Sequence, residues 1–256
     1  MPWLAAKVFV GFIVGILIGM TGVGGGVLLL PVLIFGLNVP PLIAVGSDAL
    51  FNFFTKIPAS LMHLSKGTVR KKVVLALACG SVPGSIGGVK LLMHIRHLYG
   101  DGVNNFIKTA VGILLIIIPT LLLFQRHIEE RIANRPPTLK GFAGMVVIGL
   151  VAGFLVGMTS VGSGSIIMML LLLFYSFPPK INVGTDIVHA VLLTGVTGLL
   201  HFRLGNVDAK LVLSLLIGSI PGGLIGSHLA TRVPMLWLRR ILCTLLLLTG
   251  ARMLWA

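Results

Sequence analysis

Long apolar runs separated by short polar loops make up almost the whole chain. The apolar segments cover about residues 4–20, 26–37, 42–63, 73–93 and 109–124, and then about 141–158, 164–177, 181–202, 211–230 and 241–255. A helix needs about 20 apolar residues to cross about 30 Å of hydrocarbon. The third, fourth and fifth segments of each set approach that length, so the pattern predicts an all-α polytopic membrane protein. The first segment is interpreted as retained rather than cleaved, because its pattern returns in mid-chain.

The two halves of the chain are copies of one another. Residues 19–88 align without a gap with residues 157–226, so that GMTGVGGG, VGSD and GSVPGS in the first copy match GMTSVGSG, VGTD and GSIPGG in the second. Such self-similarity indicates an internal duplication. We predict a first transmembrane repeat over residues 1–124, a polar cytoplasmic linker over 125–140 and a second transmembrane repeat over 141–256.

The first two segments of each half form an unusual pair, because each is short and a Gly-rich break joins them. Together they would make a helix of about 50 Å, which is too long for one straight crossing. A re-entrant hairpin would give three crossings per half and an inverted second half. A broken, tilted span would give four crossings per half and parallel halves. We favour the inverted arrangement, since discontinuous helices inside the membrane are characteristic of inverted-repeat transporters.

Composition supports the membrane assignment and explains the charge. Hydrophobic residues make up 56% of the chain and charged residues 10%, whereas charged residues are near a quarter of a soluble domain. The net charge of +14 comes from basic residues in loops, which indicates topology rather than nucleic-acid binding. In either arrangement the loop at 65–72 and the linker share the more basic, cytoplasmic side. Two cysteines inside apolar runs predict neither a disulfide framework nor a metal site, and no cofactor is expected.

The Gly-rich breaks are the first candidate binding site. A helix is predicted to start after each break, and the N–H groups at a helix start attract anions. Glycine also lets the backbone approach a ligand closely. Close helix packing by small residues is the alternative, but recurrence of the break in both copies favours a ligand site. The candidate substrate-binding residues are Thr21, Gly22, Val23, Gly24, Gly25 and Gly26 in the first copy, and Thr159, Ser160, Val161, Gly162, Ser163, Gly164 and Ser165 in the second.

Two acidic residues occupy matched positions inside the third segment of each half. Asp48 and Asp186 are costly in a membrane, which makes them candidate functional residues. Burial favours the neutral form of a carboxylic acid, so both are predicted to carry protons; helix capping is the alternative. Lys56 and Asn52, on the same predicted helix as Asp48, are expected to bind substrate. His189, one helical turn from Asp186, is a further proton-coupling candidate.

These motifs resemble a known family. GMTGVGGG, AVGSD, HLSKGTV and GSVPGSIGG, repeated as GMTSVGSGS, NVGTD, HFRLGNVD and GSIPGGLIG, resemble the sulfite exporter TauE/SafE family over nearly the whole chain. The resemblance implies a transporter of small sulfur-containing anions, such as sulfite or organosulfonates, in a bacterial or archaeal plasma membrane. Ser47 and Thr185 match the family's second motif and join the substrate-binding candidates. The chain departs from the motif at Asp48 and Asp186, where a small hydroxyl residue is expected, and this leaves the anion open.

The leading hypothesis is a secondary transporter of small sulfur oxyanions, coupled to protons and working by alternating access between the two repeats. It is expected to be a multi-pass protein of the cell (inner) membrane and not an enzyme. A passive anion channel is the first alternative. An intramembrane aspartyl protease, with two carboxyl groups sharing a proton, is the second. The expected partners are a small anion and the lipid bilayer, with no nucleic acid. Direction of transport, coupling ion and the choice between monomer and homodimer stay open at this stage.

Overall fold

The computed structural model describes residues 2–21, 25–132, 141–175, 178–229 and 235–255, and these form helices and the turns between them, without a strand. Within these residues, the apolar segments predicted from the sequence coincide with helices. The first half contains α1 (Pro2–Thr21), α2 (Gly25–Pro31) with a π-helical turn (Val32–Gly36), α3 (Pro41–Ser65), α4 (Lys71–Tyr99) and α5 (Gly102–Ile132). The second half contains α6 (Phe142–Thr159), α7 (Ser165–Phe174), α8 (Pro179–Arg203), α9 (Ala209–Leu229) and α10 (Met235–Trp255).

Five of the described helices are long and apolar enough to cross a membrane. They lie in α4, α5, α6, α8 and α9. We expected α6 to be one short arm of a broken pair, yet its 18 residues reach the length of a crossing. The helix α3 is not among the five, and it is the helix that carries Asp48, Asn52 and Lys56. Helix α5 continues to Ile132, into the segment assigned to the linker, of which residues 133–140 lie outside the described part.

Two tight helix pairs each join one helix from the first half to one from the second. Helix α1 packs on α9, and α4 packs on α6. Glycines four residues apart make these contacts, because a Cβ on any of them would overlap the backbone of the partner helix. In each pair the contacts advance along both chains in the same order, so the two helices run parallel. The contacts are Gly11, Gly15 and Gly19 with Leu215, Ser219 and Gly223, and Gly80, Gly84 and Gly88 with Val146, Leu150 and Phe154.

Two further pairs, α3 with α8 and α5 with α10, each consist of a helix and its own copy, and these pairs are antiparallel. Along α3 and α8, Gly46 lies against His201, Gly198 against Leu50 and Gly184 against His63, so contacts advance along one helix as they retreat along the other. Along α5 and α10, Gly112 lies against Met253 and Gly250 against Leu115. In these two pairs, each helix is therefore antiparallel to its own copy.

The short helix α2 lies inside the bundle, since all seven of its residues are buried. Leu29, Leu30 and Leu33 are fully buried and belong to the main hydrophobic core. By contrast, α9 turns an apolar face outward: Leu213, Ile217, Ile220 and Leu224 are each more than 60% exposed. A continuous apolar outer face beside a packed interior is what contact with lipid requires.

Candidate functional site

The first Gly-rich break brings the start of α2 into the interior. The backbone N–H of Gly25 donates a hydrogen bond to Asn52 Oδ1 at 3.1 Å, and Asn52 Nδ2 donates to the Asp48 carbonyl oxygen at 2.9 Å. Asn52 lies near the middle of the 25-residue α3 and is fully buried. The structure therefore places a helix start, rather than a surface loop, beside the middle of α3. The candidates Gly22, Val23 and Gly24 lie outside the described residues, as does the side chain of Thr21.

Asp48 of the first half contacts the second break directly. The Ser160 hydroxyl donates a hydrogen bond to Asp48 Oδ2 at 2.7 Å, and both residues are fully buried. Ser160 ends α6 with φ of 57°, a left-handed conformation that turns the chain out of the helix. The second carboxyl oxygen of Asp48, Oδ1, has no hydrogen-bond partner among the described residues.

Gly26 is enclosed by this contact. A Cβ at Gly26 would lie 2.8 Å from the Ser160 carbonyl oxygen and 2.9 Å from Asp48 Oδ2. Such distances are shorter than van der Waals contact, so the start of α2 can approach Asp48 this closely only because residue 26 has no side chain.

Lys56, a second residue of α3, also contacts the second break. Its ammonium group donates to Ser163 Oγ at 3.0 Å and to the Ser163 carbonyl oxygen at 3.4 Å. A Cβ at Gly164 would lie 3.6 Å from Lys56 Nζ and 3.3 Å from Asp186 Oδ2, so both side chains approach residue 164, just before α7. The ammonium interacts electrostatically with both aspartates.

The two half-length helices thus begin in the same way. The first residues of α2 lie against Asp48, and Gly164, just before α7, lies against Asp186. A helix start carries a partial positive charge that stabilises a nearby anion. At each start the acidic group nearby is a carboxyl group of the protein itself. Asp186 Oδ1, like Asp48 Oδ1, has no hydrogen-bond partner among the described residues.

The other described residues of the second break do not contact Asp48 or Lys56 through hydrogen bonds. The Thr159 hydroxyl donates to the Leu155 carbonyl oxygen at 2.7 Å and accepts from the Val161 N–H at 3.3 Å. Gly162 has φ of 92°, which favours glycine. Ser165 is buried, and its Oγ has no hydrogen-bond partner within the described part of the chain.

Ser47 and Thr185 make a matched pair of contacts away from the breaks. Ser47 Oγ accepts from the backbone N–H of Asp208 at 3.0 Å, and Thr185 Oγ1 accepts from the backbone N–H of Arg70 at 3.1 Å. Each hydroxyl therefore holds the start of a long helix from the other half, α9 or α4. The structure does not bring these two side chains together with Lys56 and the serines of the second break.

His189 faces α4 and reveals residues that the sequence analysis missed. Its Nε2 lies 2.8 Å from Ser81 Oγ, and Ser85 Oγ lies 2.7 Å from Thr197 Oγ1. All four side chains are almost fully buried. Ser81 and Ser85 lie four residues apart in GSVPGS, a spacing that puts them on one helix face. That spacing is the signal in the sequence that indicates a shared polar face.

The described residues form neither a cluster of metal ligands nor a hydrogen-bonded pair of carboxyl groups. Within the described ranges, no group of three or more His, Cys, Asp and Glu side chains comes together. No hydrogen bond joins Asp48 to Asp186 among these residues, since Asp48 accepts from Ser160 while Asp186 lies by Gly164 and Lys56.

Comparison with known proteins decides the family. A family profile described as sulfite exporter TauE/SafE matches residues 8–253. The chain belongs to the TauE/SafE family. It is 36% identical to the probable membrane transporter protein YjnA of Bacillus subtilis, over 96% of this chain and 98% of that protein. It is also 27% identical to the probable membrane transporter protein YunE of the same organism, over 97% and 96% of the two chains.

A third relative comes from another organism. The chain is 29% identical to the probable membrane transporter protein MJ0441 of Methanocaldococcus jannaschii, over 80% of this chain and 74% of that protein. No solved structure matches the chain. The family assignment and the apolar helices together identify this TauE/SafE protein as a multi-pass membrane transporter.

Proposed function

We propose that this TauE/SafE protein is a secondary transporter in the cell (inner) membrane that couples the movement of small sulfur oxyanions, such as sulfite or organosulfonates, to protons. One observation carries the proposal. The second break places the Ser160 and Ser163 hydroxyl groups against Asp48 and Lys56 of the first half. This arrangement combines hydroxyl donors, a cation and a carboxyl group in the interior of a transport protein.

Lys56 and the serines account for anion binding. An ammonium group and hydroxyl donors form short, charge-assisted hydrogen bonds with oxyanions, and such bonds are stronger where water is excluded. Ser163 and Lys56 already contact one another at 3.0 Å, so an oxyanion at the start of α7 could be held by both. The helix start adds a favourable dipole.

Asp48 and Asp186 account for the proton. A carboxylate beside a bound oxyanion is repelled by it, and both charges are costly in a membrane interior. Protonation of a carboxyl group removes that repulsion. Both acids are buried and each lies next to a helix start, so proton binding at these acids would be linked to anion binding in the same region.

The two repeats would supply alternating access. The antiparallel packing of α3 on α8 and of α5 on α10 supports an inverted relation between the halves. In this arrangement each of the pairs α1–α2 and α6–α7 returns to the side from which it enters, the two pairs enter from opposite sides, and α6 is long enough to cross the membrane within its pair. The basic loop after α3 and the connection from α5 to α6 then lie on the cytoplasmic side, following the excess of Lys and Arg. Movement of one repeat against the other around a fixed site is how such transporters work.

Uptake into proteoliposomes tests the proposal. Labelled sulfite and labelled methanesulfonate would be supplied with and without an inward proton gradient, with protein-free liposomes as the control for leakage. We expect accumulation above equilibrium that disappears when the gradient is collapsed. Equilibration without any effect of the gradient would contradict proton coupling and favour the channel alternative, because a channel cannot concentrate its solute. No flux of either anion would contradict the substrate class.

A further inference from the structure

The two aspartates have different partners although they occupy matched positions in the two copies. Asp48 accepts a hydrogen bond from the Ser160 hydroxyl. The position that matches Ser160 in the first copy is Gly22, which has no hydroxyl group. Asp186 instead lies with Lys56 at the start of α7, and the position that matches Lys56 in the second copy is Thr194. The duplication therefore keeps the two aspartates but changes the residues that contact them.

We propose that Asp48 is the acid that couples the proton to the anion, and that Asp186 is the fixed counter-charge of Lys56. The carboxylate of Asp48 is an internal substitute for the transported anion, bound to the Ser160 hydroxyl at the start of α2. The oxyanion gains that hydroxyl only when Asp48 is protonated. This inference rests on the proposed function and narrows it, because it assigns the proton to Asp48 alone and gives Asp186 a separate role.

Asp48 and the oxyanion compete for the Ser160 side chain because its hydroxyl group can donate only one hydrogen bond. A serine hydroxyl has one hydrogen to donate, and in this structure it is donated to Asp48 Oδ2 at 2.7 Å. An oxyanion that uses the same hydrogen must displace the carboxylate. A protonated Asp48 no longer needs this donor and can itself donate a hydrogen bond. The proton that binds to Asp48 therefore releases the Ser160 hydroxyl to the anion.

Asp186 has a different electrostatic setting. Lys56 is the charged group that acts directly on it, and both lie against Gly164. An ammonium next to a carboxylate stabilises the charged form of each. Burial opposes the charged form of Asp186 and Lys56 favours it; in the proposed cycle Lys56 keeps Asp186 ionised, and the two charges balance one another until the anion arrives.

The other ionisable groups around Asp48 have partners elsewhere or lie at the surface. On its own helix, Lys56 is the charged group in the described part of the chain that acts on its carboxyl group. On α8, His189 contacts Ser81 and His201 contacts the Gly157 carbonyl oxygen. On α9, Lys210 and His228 are exposed. Neither α2 nor the second break contains an ionisable residue, and Lys108 of α5 acts on neither aspartate.

Binding measurements across pH test this assignment. The probe is methanesulfonate, because its charge does not change in the neutral range, and its affinity for the purified protein would be measured by calorimetry. Where one proton must bind with the anion, affinity falls about tenfold for each pH unit above the titration of the coupling acid. We expect this slope in the unmodified protein and in Asp186→Asn. In Asp48→Asn we expect binding that is independent of pH.

A second pair of variants keeps the test valid should Asp48→Asn fail to fold. Ser160→Ala removes the shared hydroxyl, so we expect weaker binding at low pH and a shallower slope. Ser163→Ala, in the same break, removes a hydroxyl that contacts Lys56 instead, so we expect weaker binding with the slope unchanged. Equal slopes in Ser160→Ala and Ser163→Ala would overturn the proposal.

The outcomes separate this inference from the proposed function. Should the slope persist in Asp48→Asn, or vanish in Asp186→Asn while the unmodified protein still binds and transports the anion, the assignment of Asp48 is wrong and the transport function stands. If the unmodified protein binds no sulfonate or sulfite at any pH, the proposed function itself fails. Exchange of labelled for unlabelled methanesulfonate by Asp48→Asn, without accumulation in a proton gradient, would support the assignment independently.

Discussion

Lys56 is the residue on which the contacts of the candidate site converge. Its ammonium donates to Ser163 and lies with Asp186 at the start of α7, although it belongs to α3 of the first half. A cation at this depth needs a compensating charge, because an unpaired charge inside a membrane protein is costly. Its two proposed roles, pairing with Asp186 and attracting the anion, can be separated by substitution.

We expect Lys56→Met to lower both the thermal stability and the anion affinity, because it leaves Asp186 without its counter-charge and removes the positive charge from the site. The double variant Lys56→Met/Asp186→Asn should recover stability by about 1–3 kcal/mol relative to the sum of the single changes. It should not recover anion binding. Thermal unfolding of the purified protein and methanesulfonate binding are the two measurements, with Lys56→Arg as the control that keeps the charge.

Additive effects of the two single changes on stability would contradict a pairing between Lys56 and Asp186. Normal anion affinity in the double variant would contradict the role of Lys56 in binding. The two results are independent, so either role can fail without the other.

Single residues of the site were predictable to different degrees. Asp48, Asp186 and Lys56 stand out in the sequence because ionisable residues are rare in apolar segments. Their partners do not, since Ser160 lies 112 positions from Asp48 and Ser163 lies 107 positions from Lys56. Which serine contacts which charged side chain depends on how the two halves pack together, and no local sequence pattern predicts that.

At the scale of helices, the glycine spacing explains the tight pairs α1–α9 and α4–α6. Glycine at every fourth position lets two helix backbones touch, and close packing of small residues is a main source of stability between membrane helices. The sequence predicted the helices and their breaks through hydropathy and the repeat. It did not reveal that glycines outside the breaks join helices of different halves. The sequence alone does not distinguish a glycine that packs against another helix from a glycine that faces lipid.

Two glycines of α4 provide a matched test of this packing. A Cβ at Gly84 would overlap the Leu150 carbonyl oxygen of α6, whereas a Cβ at Gly87 would lie 3.7 Å from a Phe154 ring carbon, an ordinary contact. We expect Gly84→Ala to destabilise the protein by about 1–3 kcal/mol through overpacking. Gly87→Ala should leave stability unchanged or raise it slightly, since alanine favours the helix by about 1 kcal/mol.

The measurement is the midpoint of thermal unfolding of each purified variant in the same detergent. Equal midpoints for Gly84→Ala and Gly87→Ala would mean that α4 and α6 do not pack as closely as described. A loss restricted to Gly84→Ala would show that the contact between the halves limits the stability of the bundle.

At the scale of the whole molecule, the directions of the helices define a consistent topology. Helix α3 is antiparallel to α8 and α5 is antiparallel to α10, while α1 runs parallel to α9 and α4 to α6. These directions agree with one another when each half starts with a re-entrant pair. In that arrangement the turns after α3 and after α8 lie on opposite faces of the membrane. With parallel halves and a broken span, the same two turns would lie on one face.

Lys66 and Leu204, matched and exposed residues that follow α3 and α8, distinguish the two topologies. Cys79 and Cys243 would first be replaced by alanine, and then Lys66→Cys and Leu204→Cys introduced singly. Treating intact cells with a membrane-impermeant maleimide labels only outward-facing cysteines, and permeabilised cells give the total. We expect position 204 to react in intact cells and position 66 only after permeabilisation, since the excess of Lys and Arg predicts that the turn after α3 faces the cytoplasm. Labelling of both positions under the same condition would contradict the inverted arrangement, and with it the opposite entry of the two breaks on which alternating access depends.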